Sequence, residues 1–253
     1  MARNLFSQSG TPNDFILEVL AGNIPGYTLI NVLGNNDALS GAPAKTLWDD
    51  DSDYITPLVA AATTIESSDN VADLLAGTGL QKAEVFYLDS NFEEQSEVID
   101  MNGSTPVPLS ENAIAVNSIL ATQVGSGGFN VGQIKVEIGG NPAAFIRALE
   151  NRSDGGVYTV PSGFSVIGNA PSYAASASTE ADAFIKFRNG ETGIFFRRKL
   201  LSVFENSLVA NILPVIKLEE KSVIVLQGIK LSGLTPKLSG LVQLLKINNE
   251  DIS

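Results

Sequence analysis

The chain has 253 residues, 44% of them apolar, 16 Lys/Arg against 28 Asp/Glu, and neither histidine nor cysteine. That length suits one large β domain or two smaller ones, and the apolar content argues for a buried core and against wholesale disorder. Without imidazole or thiol, a Ser-His-Asp triad, a Cys-His pair, a disulfide framework and a thiolate metal site are all excluded, while carboxylate, lysine and oxygen-ligated cation chemistry stay open.

Charged residues make up only 17%, against about 25% in ordinary soluble domains. Such depletion fits a surface partly covered by neighbouring subunits. Residues 1–150 hold 5 Lys/Arg and 19 Asp/Glu, and residues 151–253 hold 11 and 9. The acidic first part repels phosphate, so no nucleic-acid partner is expected. The N-terminus lacks an apolar secretion segment, and no run of about 18 apolar residues marks a transmembrane helix. No membrane partner is expected.

Residues 1–26 read as an N-terminal arm, in which 14–20 is a short strand or a helical turn and Ile24-Pro25-Gly26 forces a bend. Residues 27–33 are a strand ended by Gly34-Asn35-Asn36-Asp37, and 34–53 a loop. Residues 60–66 fit a strand or a poor helix. The best short helix is Ser68–Leu75, where a Ser/Asp cap precedes Val71, Leu74 and Leu75 on one face. Strands follow at 84–88 and 97–101, paired through an Asp89-Ser90-Asn91 turn. Asn102-Gly103 is a two-residue hairpin signal. Another strand covers 113–124. Residues 132–138 alternate cleanly, with Ile134, Val136 and Ile138 on one face, before a Gly139-Gly140-Asn141-Pro142 turn and a short segment at 143–148.

Beyond 151 come a strand at 157–160, a Pro161-Ser162-Gly163 β-turn, a strand at 164–168 and an Ala/Ser-rich stretch at 173–179 that is a flexible loop or a close-packed segment. A strand at 183–188 and its return at 193–199 are joined by Asn189-Gly190 as a hairpin turn, and strands at 215–218, 222–229 and 241–247 complete the set. Short strands with many turns and almost no helix predict an all-β, antiparallel β-sandwich or jelly-roll-like fold with at most one short helix. Two β regions are expected: an acidic domain over 27–150 and a C-terminal sandwich over 151–253, with the boundary within 125–157.

The acidic run Asp49, Asp51, Asp53 opens like a calcium loop but lacks the glycine and glutamate that an EF-hand requires. It is a weak metal candidate, and a solvated loop is the simpler reading. Trp48 and Tyr54 beside it either stack on a sugar or anchor the loop on the sandwich. Glu93-Glu94 and Glu219-Glu220 are adjacent pairs whose members face opposite ways along a strand, so neither is a preset acid/base couple. Arg197, Arg198 and Lys199 end an apolar strand, as gatekeepers against aggregation or as an interface. With Phe6 and Phe15 in the arm, they are the interface candidates. No catalytic residue and no cofactor are expected.

Several strings together carry a resemblance: Leu47-Trp48-Asp49, Ile65-Glu66-Ser67-Ser68-Asp69-Asn70, Leu88-Asp89-Ser90-Asn91-Phe92, Met101-Asn102-Gly103-Ser104-Thr105-Pro106-Val107, Asn130-Val131-Gly132-Gln133-Ile134 and Tyr158-Thr159-Val160-Pro161-Ser162-Gly163. In this order the chain resembles β-rich virion structural proteins of tailed bacteriophages over roughly residues 28–230, with Ser162 where that pattern has alanine. The resemblance implies a virion location and a non-enzymatic head decoration, collar or tail component. Its expected partners are copies of itself and other virion proteins. The alternative is a fibre or spike module binding a host-surface glycan through Trp48, Tyr54 and the acidic loop. A carboxylate depolymerase ranks last.

Overall fold

The computed structural model describes residues 12–168, 172–176, 180–204, 208–210, 216–232 and 237–251, with the backbone alone at 12–14, 198–201, 204, 208–210, 216 and 251. The first element is a helix, α1 (Pro12–Leu20), opened by a proline whose fixed φ and missing N–H suit a first helical turn. Next come β1 (Tyr27–Asn36), β2 (Lys45–Thr46), β3 (Thr63–Ser67), β4 (Leu80–Leu88), β5 (Glu94–Asp100), β6 (Val107–Pro108), β7 (Ala115–Val124), β8 (Ile134–Ile138) and β9 (Asn141–Ile146). The remainder carries β10 (Val157–Thr159), β11 (Phe164–Gly168), β12 (Ser172–Ala175), β13 (Glu180–Arg188), β14 (Phe195–Phe204), β15 (Leu208–Ala210), β16 (Ile216–Leu218), β17 (Val223–Ser232) and β18 (Leu238–Asn248). A 3-10 turn, Asn249–Asp251, follows. The fold is all-β and antiparallel throughout the described strands. Among the described residues no helix is long and apolar enough to cross a membrane.

The strands form two sandwiches. In the first, a six-stranded sheet runs β15-β12-β18-β11-β16 with β1 along β18, and it faces a sheet ordered β10-β17-β13-β14 with β2 on β17. Val32, Leu47, Val166, Tyr173, Ile185 and Leu226 meet in its core. In the second, the sheet β6-β3-β8-β9 faces β5-β4-β7 over Ile65, Val85, Ile99, Ile119, Ile134 and Val136. β8 shows why this sequence makes a strand. Ile134, Val136 and Ile138 alternate with Lys135 and Glu137, so every second side chain is buried, each contributing roughly 1.5–3 kcal/mol. Lys135 meanwhile bridges Glu66 and Glu137 at 2.8 Å on the wet face.

The cores divide the chain differently from the expected split into 27–150 and 151–253. β1 pairs with β18 over ten residues, from Tyr27↔Ile247 to Asn36↔Leu238. Residues 27–47 therefore belong with the C-terminal strands, and the second sandwich is an insertion between β2 and β10. The interval 125–157 contains the return crossing only; the outgoing one lies after Trp48. A linear charge profile cannot see a strand that pairs 200 residues away.

Three local expectations need correction. Ser68–Leu75 is a loop, not a helix. The cap signal is real, since Asp69 Oδ1 accepts from Val71 N at 2.9 Å and Ala72 N at 2.6 Å. Propagation stops because Asp73 turns inward: its buried carboxylate accepts from Ser67 Oγ (2.6 Å) and from the N–H groups of Leu80 (2.7 Å), Val131 (3.0 Å) and Gly132 (2.8 Å). Asn102-Gly103 is not a hairpin turn; the next strand, β6, pairs with β3 in the opposite sheet. Asn189-Gly190 is not one either, because Arg188 pairs with Phe195 and residues 189–194 make a six-residue connection. Gly190 is glycine because a Cβ there would lie 1.9 Å from Glu220 O. Of the two readings of 173–179, the close-packed one fits its start: Ser172–Ala175 is a strand, with Tyr173 buried and its hydroxyl donating to Phe184 O at 2.9 Å; residues 177–179 lie outside the described residues. The ambiguous segment 60–66 resolves as β3, and 14–20 as part of α1.

Asp73 joins three loops through one buried carboxylate, so D73A leaves inward-facing N–H groups unpaired and is expected to cost at least about 3 kcal/mol, read as a lower urea midpoint with unchanged slope. Glu220 clamps the Pro161-Ser162-Gly163 turn, accepting from Gly163 N at 2.7 Å and Ser162 Oγ at 3.2 Å. The Gly163 N–H, with help from the Ser162 hydroxyl and Lys221, holds this carboxyl below the usual range against the opposing effect of burial. A lowered pKa stabilises the fold above the unfolded-state value of about 4.3 and ceases to do so as pH falls through the folded value. Wild type is therefore expected to unfold at slightly higher urea than E220Q at pH 7, with the gap closing below about pH 4.

Candidate functional site

The residues singled out in the sequence converge on the junction of the two sandwiches. Trp48 follows β2 as the chain leaves the first sandwich, and Phe145 ends β9 in the second. Their rings meet edge to face at 5.1 Å, and Tyr54 meets Trp48 at 5.9 Å. Together with Val157, Val223 and Val225 they form a small apolar cluster between the larger cores. Trp48 is 0% and Tyr54 2% exposed. The loop-anchoring reading of Trp48 is therefore the observed one, and neither ring is placed to stack on a sugar.

The acidic run serves the same junction. Asp49 Oδ1 accepts from Arg147 Nε at 3.0 Å, and Asp49 also receives Gln133 Nε2 from the second sandwich at Oδ2 (3.0 Å) and at its backbone carbonyl. Asp53 Oδ1 accepts from Thr46 Oγ1 at 2.8 Å and Gln227 Nε2 at 2.6 Å, and its other oxygen lies 3.3 Å from Lys186 Nζ. Asp51 is exposed, and its backbone carbonyl takes Lys45 Nζ at 2.9 Å. The three acids are thus held apart by different partners. Among the described residues no group of three or more acidic side chains is gathered to hold a cation.

Arg147 is the residue that sequence reasoning missed. Its guanidinium spans Asp49 and Asp37, the latter at 3.0 Å, with Glu150 at 3.8 Å. The fork of donors lets one side chain tie β9 to both the β1–β2 connection and the acidic run. Its sequence neighbours, Ala144 to Glu150, carry no motif that announces such a role.

Behind the junction lies a cavity of about 300 Å³. One wall is the side of β1 from Leu29 to Leu33; the other is Phe86, Glu94, Asn117 and Ser118 of the second sandwich, with Arg152 and Tyr158 also lining it. Asn117 reaches from β7 to β10, donating to Thr159 O at 2.9 Å and accepting from Thr159 N at 2.8 Å, and so spans the two sandwiches. The Tyr158 hydroxyl is buried with no hydrogen-bond partner among the described residues, and burial pushes its pKa up.

The interface candidates are scattered. Phe6 lies outside the described residues. Phe15 packs its ring edge against Tyr27 at 5.7 Å, seating α1 on the first sandwich. Arg197 is exposed and lies over the Phe184 ring at 4.2 Å. Register puts Arg198 opposite Ile185 and Lys199 opposite Phe184 on β14, the last strand of its sheet, while their side chains fall outside the described part. Of the acid pairs, Glu94 holds Lys246 at 2.8 Å, Glu219 holds Lys217 at 3.0 Å, and Glu220 clamps its turn.

No family model and no curated protein matches the chain. Among solved structures, that of the infectious bursal disease virus Gt strain aligns over 95% of this chain and 79% of its own at 13% identity and a TM-score of 0.24. The VP2 subviral particle of the same virus aligns over 94% and 78% at 12% identity and 0.24. Likeness at that level carries no argument about this chain.

The lone tryptophan reports directly on the junction. R147A strips two carboxylates of their guanidinium and is expected to cost roughly 1–3 kcal/mol, with the buried, blue-shifted Trp48 emission moving red at lower urea than in wild type. R147K recovers only part of this, because an ammonium lacks the fork. Millimolar calcium is expected to leave the wild-type Tm unchanged, since Asp49 and Asp53 already have partners.

Proposed function

We propose that the chain is a non-enzymatic structural subunit of a virus particle, assembling with copies of itself and with other virion proteins. The observation that carries this is the outward face of the six-stranded sheet. Val32, Val242 and Leu244 point into the core, so the alternate residues of the same strands point out. Leu29 sits beside Leu245, which sits beside Ile167; Leu33 sits beside Leu241 in the next row but one. Between the rows Gln243 Nε2 donates to Asn31 Oδ1 at 3.3 Å. The outer face of a sandwich sheet is ordinarily polar. Here it presents apolar rows, with Leu33 40% exposed, and α1 adds Leu17 and Leu20 at 62% and 61%. Apolar rows exposed on the outer face of a sheet, here divided by a polar pair, mark an association surface.

Other features agree. The chain is poor in charge, as interface-rich subunits are. Of the acids in the two adjacent pairs, Glu94 and Glu219 are engaged in ion pairs and Glu220 in a turn clamp. The resemblance to tailed-phage virion proteins supports the finer reading of a head decoration, collar or tail component. The glycan-binding alternative loses the two aromatic side chains it relied on.

Purified protein is expected to self-associate in sedimentation velocity across a concentration series. L33D, on the outward face, is expected to weaken association at least tenfold while leaving the far-UV circular dichroism unchanged. A chain that stays monomeric at every concentration, and that antiserum fails to find on purified particles, overturns the proposal.

A further inference from the structure

The cavity between the sandwiches has an unusual wall, the open edge of a β-strand. In the β1–β18 ladder Asn248 N donates to Gly26 O, and Leu33 O instead accepts from Gly156 N at 2.6 Å, on the side away from β18. Parity then sends the backbone groups of the even-numbered residues of β1 toward β18 and those of the odd-numbered ones into the cavity. Gly156 satisfies Leu33 O. The N–H and C=O of Leu29 and Asn31 meet no hydrogen-bond partner among the described residues. Tyr158 lines the same cavity, and its buried hydroxyl is also without one.

We propose that this slit takes an extended strand from a second copy of the chain, its residues 1–11, laid antiparallel or parallel along β1. The proposal rests on the assembly reading above and names one contact by which assembly occurs. A row of unpaired backbone groups is a template for strand addition. Phe86, Glu94, Asn117 and Ser118 close the opposite side, so a single strand fits where a folded domain does not. Leu29 to Leu33 covers about 13 Å at roughly 3.3 Å per residue, and eleven extended residues reach about 36 Å, enough to leave one copy and enter another.

The charged residues lining the slit are Glu94, which Lys246 already holds, and Arg152, and residues 1–11 contain Arg3 and no acid. Leu5 and Phe6 bring apolar side chains to a wall that offers Leu29, Leu33 and Phe86. The polar part of the slit, with Arg152, Asn117 and Ser118, suits strand backbone and the neighbouring Asn4 and Ser7.

Because the chain has no cysteine, engineered thiols pair without competition. Two full-length variants, F6C and S118C, are mixed, allowed to associate and gently oxidised. A reducible dimer that forms in the mixture, well above either variant alone, is the expected result. Asn31→Pro in the S118C chain removes an outward N–H, a change tolerated at an edge, and is expected to cut the yield at least fivefold. L5D/F6D in an otherwise unaltered chain, read by sedimentation, supplies the same test without touching β1 and is expected to weaken association. Oligomers that persist with no F6C–S118C link overturn the arm contact and leave the assembly reading standing. Monomers under all conditions overturn both. A link found only within a single chain carrying both cysteines, at high dilution, overturns exchange between copies.

Discussion

The ladder between β1 and β18 is the constraint on which the rest of the molecule hangs. Ten residue pairs join segments separated by about two hundred positions, so the intervening chain must leave the first sandwich, complete a second one and return to the same place. The two crossings meet beside Gly34, where an added Cβ would lie 2.7 Å from Leu47 O on the outgoing strand and 2.9 Å from Gly156 Cα on the incoming one. Three segments of backbone pack in contact there because one of them has no side chain. Leu47 N then donates to Leu226 O, and Leu226 N to Gly156 O, so outgoing and returning chains are knitted into the same strand, β17. An insertion held in this way is fixed at its root, and the aromatic cluster and Arg147 extend that fixity outward.

The junction also shows how an acidic run can mislead. Closely spaced aspartates at 49–53 look like a cation loop when only their spacing is known. Their chemistry is decided by what the fold brings to them: a guanidinium from β9, an amide from the loop before β8, a hydroxyl from β2 and an amide from β17. A carboxylate that already accepts two or three hydrogen bonds has little left to offer a metal ion, and its neighbours face different partners. The ion pairs themselves are modest contributors at their partial exposure. Their larger role is geometric, since each one links elements that belong to different sandwiches.

Where the sequence could be read, a local periodicity and the tertiary structure agreed. β8 is the clearest instance: Ile134, Val136 and Ile138 are buried as their alternation requires, and the β4–β5 pairing through Asp89 follows from strand pattern and turn chemistry. The all-β class was legible for the same reason. Failures fell where a local signal was outvoted from a distance. Asp69 does cap the following N–H groups, yet Asp73 is claimed by loops fifty-eight and fifty-nine residues away. Asn189-Gly190 has hairpin composition, yet its glycine answers a close approach by the 219–222 turn. Of the candidate site, Trp48 and the acids were visible, but Arg147 and the slit were not. A single arginine in unremarkable sequence gains its role only from the three segments around it, and a free edge exists only once the partner strands have been assigned.

Edges give the molecule its asymmetry. β14 ends its sheet with Arg197 lying over Phe184, and Lys186 on the adjacent strand lies over Phe195 at 5.4 Å. These are cations spread across aromatic rings in the manner that discourages further strand pairing. β7 is covered along part of its outer side, where Ala121 N bonds Asn151 O and Ser153 N bonds Ile119 O. β10 is capped by the Asn117 amide, which imitates a strand by both donating and accepting. Beside these protections, the backbone of β1 from Leu29 to Asn31 faces the cavity with no hydrogen-bond partner among the described residues. An edge left open beside three that are guarded by different means calls for a physical reason. The physical reason available to unpaired N–H and C=O groups is another strand, admitted only if it is slender enough to pass between the two sandwiches.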